Sequence, residues 1–90
     1  MTQTKHWSVE IFIDEHDDHT TRAEARLRTN GLTTVTGVGF ARKNPDDLDV
    51  PEIGDELATA RALADLGDRL LRTTAEDIEA ITHEPVQLAR

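Results

Sequence analysis

Ninety residues carry 18 acidic against 10 basic side chains, a net charge of −8, with 37% apolar residues, a mean hydropathy of −0.53 and no cysteine. That length makes one domain with a modest core, and the missing cysteines exclude disulfides, thiolate metal sites and cysteine nucleophiles. The hydropathy excludes a membrane-spanning segment, and the negative sign argues against a general phosphate-backbone binder, whose footprint is basic.

The opening segment, Met1 to Trp7, lacks the apolar centre of a signal peptide, so a cytoplasmic address is expected. A first strand is predicted over about residues 5–15. Trp7, Val9, Ile11 and Ile13 alternate with Ser8, Glu10 and Phe12, the period of a half-buried strand. A second strand, about 19–29, sets Ala23, Ala25 and Leu27 against Arg22, Glu24, Arg26 and Arg28. For the apolar rows of both to share a face, paired residue numbers must sum to an even number. A three-residue loop, Asp17-Asp18-His19, satisfies this and sets Glu10 opposite Arg26 and Asp14 opposite Arg22, favourable cross-strand neighbours.

A third strand, about 33–42, is rich in β-branched residues but holds Gly37 and Gly39, and Asn30-Gly31 before it is a strong hairpin signal. A tight turn there would point Val38 and Phe40 at the core. A longer loop would turn Val35, Gly37, Gly39 and Ala41 inward, leaving room for a helix to approach closely. The second register is preferred, because a small-residue strip on the helix would complement inward glycines.

An acidic connector follows over about 44–50. Asp49 and Glu52 have capping-box spacing, and Pro51 suits a first helical turn. A helix over about 51–72 carries Ile53, Leu57, Ala60, Leu63, Ala64, Gly67, Leu70 and Leu71 as its apolar stripe, with Ala60, Ala64 and Gly67 as the small strip. Thr73-Thr74 with Glu76 and Asp77 signals a second short helix, about 74–82, ended by Pro85. Residues 84–90 form a tail. The expected architecture is α+β: a three-stranded antiparallel meander (β-β-β-α-α) with helices on one face of the sheet and the other face uncovered.

The stretch from Gly37 to Asp47, then Val50-Pro51-Glu52-Ile53-Gly54-Asp55-Glu56-Leu57-Ala58 and Arg61-Ala62-Leu63, resembles a family of small actinobacterial proteins known as domain-of-unknown-function family 1876. Trp7-Ser8-Val9 and Thr21-Arg22-Ala23-Glu24-Ala25 share the likeness, which covers most of the chain. The resemblance implies a fold like the double-stranded RNA-binding domain and supports the second register. It carries no activity, cofactor or catalytic residue. His19 stands where relatives more often have glycine.

Several clusters have bland readings. The helix is expected to begin among Asp46, Asp47, Asp49, Glu52, Asp55 and Glu56, with no base in residues 44–56, which opposes duplex RNA. The same acids stabilise a helix start. The turn His16-Asp17-Asp18-His19 offers imidazoles and carboxylates to a metal, but nothing fixes them together, and it reads as solvated. Gly37-Val38-Gly39 lacks the third glycine and following helix of a dinucleotide loop. No cofactor, metal site or catalytic set is expected. The surface that stands out is the uncovered sheet face, with Phe12, Arg22, Arg26, Arg28, Val38 and Phe40. It suits self-association or a protein partner; the alternative is single-stranded nucleic acid or a small ligand stacked on the same face.

Overall fold

The computed structural model describes residues 2–16, 19–44, 46, 48 and 50–89. The order is β1 (Ser8–His16), β2 (Thr20–Thr29), β3 (Leu32–Arg42) and α1 (Pro51–Thr82). The strands form an antiparallel meander with β2 in the centre. The expected register of the first hairpin is the observed one: Glu10 faces Arg26, Ile11 faces Ala25 and Asp14 faces Arg22.

The second hairpin combines the two alternatives. Asn30 and Gly31 form a tight turn with φ of 54° and 81°, and Thr29 pairs directly with Leu32. Both central residues at positive φ is the arrangement whose twist matches the flanking strands. A register shift then falls between Leu27 and Arg28: Arg28 faces Thr33, but Leu27 faces Val35. Thr34 is the extra residue of this bulge, and its hydroxyl donates to Leu27 O at 3.5 Å. One inserted residue exchanges the faces of everything beyond it. Gly37, Gly39 and Ala41 therefore turn inward and Val38 and Phe40 outward, without a longer loop.

The inward glycines set how close α1 comes. A β-carbon on Gly37 would fall 2.7 Å from Leu66 Cα, and one on Gly39 would fall 2.7 Å from the Arg61 carbonyl carbon. The helix backbone rests on the strand backbone, and its contact row is Ala58, Ala62 and Leu66. This corrects the expected small strip. Ala60 and Ala64 are exposed, and a β-carbon at Gly67 would meet nothing within 4 Å. At about 100° per residue, Ala60 and Ala64 lie nearly opposite Ala62. Most of the large apolar side chains of the expected stripe, Ile53, Leu57 and Leu63 among them, are likewise turned from the core, while Leu70 packs against its edge.

The expected second helix is also corrected, because α1 runs unbroken to Thr82. Thr74 does not cap a new helix; its hydroxyl donates to Leu70 O at 2.9 Å, inside the helix. Val50, in extended conformation, is the N-cap of the helix, which begins at Pro51 with no side-chain cap. Asp49 of the expected capping box lies outside the described residues. The end is His83 at φ 60°, whose N–H donates to Glu79 O at 2.7 Å. The tail folds back, with Val86 N–H donating to Glu79 Oε1 at 2.8 Å.

The core among the described residues is small: Ala23, Ala25, Leu27, Ala41, Ala58, Ala62 and Leu66, flanked by Ile11, Val35 and Leu70. The helix lies over β3 and β2 and barely reaches β1. No described helix is long and apolar enough to cross a membrane.

Candidate functional site

The alternation of the strands puts all six expected site residues on the face opposite α1. Successive rows across it read Glu10–Arg26–Thr36, Phe12–Glu24–Val38 and Asp14–Arg22–Phe40. Phe12 is 42% exposed and Phe40 54%. They stand on either side of β2 rather than together. The guanidinium of Arg26 lies 4.1 Å from the centre of the Phe12 ring, a cation–π pair.

The register correctly matched strands but not ion pairs. Glu10 pairs with Arg28, Oε1 to Nε at 3.2 Å, instead of Arg26. Arg22 and Arg26 both hold Glu24, Arg22 at 3.2 Å. The hydrogen bond from Arg26, then that from Arg22, keeps the Glu24 carboxyl below its ordinary pKa. Arg28 also donates to Gly31 O at 2.5 Å, so it braces the hairpin turn. Glu10, Asp14 and Glu24 stand against Arg22, Arg26, Arg28 and Arg42 on this face, close to neutral in a chain of net −8.

The free edge of β3 is occupied by α1. Val38 N–H donates to Asp65 Oδ2 at 2.8 Å, and Arg61 donates to Phe40 O at 2.8 Å. Arg69 donates to the same Asp65 oxygen at 2.9 Å. The Val38 N–H first, and Arg69 second, lower the Asp65 pKa. Sequence reading missed this arrangement; its only trace is an Arg61-Asp65-Arg69 series at four-residue spacing. It also missed a cleft of 330 Å³ where the connector meets the sheet end, lined by Thr21, Ala41, Leu48, Val50, Ile53 and Leu57 among others. Ile53 and Leu57 of that lining belong to the helical stripe read from the sequence, but nothing in the residues alone placed them against Thr21 and Ala41 at the sheet end.

Asp17 and Asp18 of the His16 to His19 turn lie outside the described residues. Among the described residues no group of three or more potential ligands has metal-binding geometry.

Two comparisons bear on identity. The Mycobacterium bovis protein Mb1767, described as uncharacterized, is 58% identical over 84 residues, 93% of this chain and 87% of its own length. The Mycobacterium tuberculosis protein Rv2632c, also described as uncharacterized, is 50% identical over 90 residues, 96% of this chain and 95% of its own. A family model described as Rv2632c-like matches residues 5–87. With likeness running through all three strands and the helix, the chain belongs to the Rv2632c-like family.

Proposed function

We propose that this chain is a non-enzymatic, cytoplasmic binding domain whose working surface is the helix-free face of its sheet, and that this face docks on another protein surface, a second copy included. One observation carries the reading: Phe12 and Phe40 are about half exposed on a face that is nearly charge-neutral in a strongly acidic chain. Apolar side chains left in water beside self-satisfied charges suit burial against protein. The nucleic-acid alternative has less support, since Arg22 and Arg26 already hold Glu24 and Arg28 holds Glu10. The likeness to family 1876 and to the double-stranded RNA-binding fold belongs to this reading only as a likeness of architecture; the acidic helix start supports no duplex RNA site.

The test compares the unmodified chain with the double variant Phe12→Ser, Phe40→Ser, checked for fold by circular dichroism. Proteins retained from a lysate by the first and lost by the second support the reading, as does self-association lost in the same way. Equal retention by both overturns it. So does binding of single-stranded oligonucleotides that falls steeply with salt and is lost on Arg26→Ala.

A further inference from the structure

The two edges of the sheet are unequal. At β3, Asp65 takes the outward N–H of Val38 and Arg61 the outward carbonyl of Phe40. Since Val38 points outward, its partner Glu24 points its own backbone groups at β1, and Phe12 points back at β2. The remaining alternation leaves the N–H and C=O groups of Val9, Ile11 and Ile13 directed away from the sheet. No backbone hydrogen bond from elsewhere in the described chain reaches these three residues. β1 is nine regular residues long without proline, bulge or lysine, so the charges that guard its edge are Glu10, Asp14 and Glu15 alone.

The same residues form an apolar shelf beside the helix. Trp7 is 55% exposed, and Val9 and Ile13 are each 42% exposed, because α1 stops short of β1. Leu63, 44% exposed, lies about 100° around the helix from Ala62, on the flank opposite Arg61 and Asp65, which reach the β3 edge.

We infer that β1 is a homodimer edge, pairing antiparallel with β1 of a second copy about a two-fold axis at Ile11. The charges of the strand choose both occupant and register. With Ile11 facing Ile11, Val9 faces Ile13, Glu10 faces Phe12 and Ser8 faces Asp14; no like charges meet. Slipping one way sets Glu10 against Glu10, and slipping the other sets Glu10 against Asp14 twice; a further slip to Ile13 facing Ile13 avoids like charges but sets Glu15 against Ile11 twice in the apolar row. Of these, the Ile11 register alone matches the apolar row with itself and brings no like charges together, which fits a second copy. The pairing makes a six-stranded sheet with both helices on one side. The two rows of Val9, Ile11 and Ile13 then become one strip between the helices. The helix-free faces join on the other side, although the edge pairing does not depend on the proposed use of that face.

The chain has no cysteine, so introduced thiols report unambiguously. Mixing Ser8→Cys with Asp14→Cys should give a mixed disulfide, because these positions face each other in the closer, non-hydrogen-bonded pairs. Neither variant alone should cross-link, since like positions lie about 20 Å apart along the strands. Sedimentation should show a concentration-dependent dimer, lost on Ile11→Pro. That proline removes only an outward N–H and spares the ladder to β2. A monomer at every concentration, a dimer indifferent to Ile11→Pro in a folded chain, or cross-linking of either cysteine variant alone as readily as the mixture overturns the inference. Should Ile11→Pro fail to fold, the thiol pair decides by itself. A dimer that dissociates on Phe12→Ser, Phe40→Ser but gives no mixed disulfide assigns association to the helix-free face and also overturns it.

Discussion

At Gly39 the side chain is missing because the Arg61 and Ala62 backbone occupies its place. Glycine in a strand interior ordinarily weakens it, and alanine would be neutral or better. Here Gly39→Ala should instead cost more than about 2 kcal/mol, read as a lower urea midpoint, because helix and strand must part to admit one methyl. Asp65 acts through charge and geometry together. Its carboxylate is held below its ordinary pKa by the Val38 N–H and then by Arg69. A group whose folded pKa is depressed contributes stability that is full above its unfolded pKa and is lost as pH falls through the folded one. The difference in urea midpoint between the unmodified chain and Asp65→Ala should therefore be largest near neutral pH and shrink below about pH 4. Equal differences at both ends would mean that the side chain acts only as a spacer.

The elements divide sharply in how far residues alone revealed them. The first hairpin was legible because a strict period of two and an oppositely charged row leave one workable register for Glu10, Arg26, Asp14 and Arg22. The third strand's inward face was legible from its glycines, but the bulge that delivers it was not, since Thr34 looks like any threonine in a β-branched run. Deleting Thr34 should leave the tight Asn30-Gly31 turn running straight into an unbroken ladder, with Leu27 still facing Val35 and Gly37 and Gly39 still turned toward the helix. The deletion variant should therefore keep a cooperative thermal transition; its loss in a circular dichroism melt would refute the assignment of Thr34 as the extra residue. Reading the helix failed twice for physical reasons. Threonines resemble caps but also bond back to the carbonyl four residues earlier, as Thr74 and Thr82 do. A stripe drawn through leucines and isoleucines also picks out the bulkier side, whereas backbone contact with glycine selects alanine.

The whole molecule is long and thin, 53 × 31 × 20 Å with a radius of gyration of 16.8 Å, against roughly 12 Å for a compact chain of this size. A helix of 32 residues extends about 48 Å, beyond strands of nine to eleven residues. It therefore overhangs the sheet and relies on the folded-back tail for cover. The core contains five alanines and two leucines, so little apolar area is removed from water. That lopsided economy is what made the candidate face legible: one helix layer cannot cover two sides. The open β1 edge was not legible, because it depends on where across the sheet the helix settles. Asp65 and Arg61, by occupying the far margin, give the sheet a polarity. Any strand joining at β1 meets a molecule whose opposite margin already has the Val38 N–H and the Phe40 carbonyl bonded to α1. A pair joined margin to margin would be terminated at both ends, so recruitment through β1 stops at a finite size and cannot run on into a fibril.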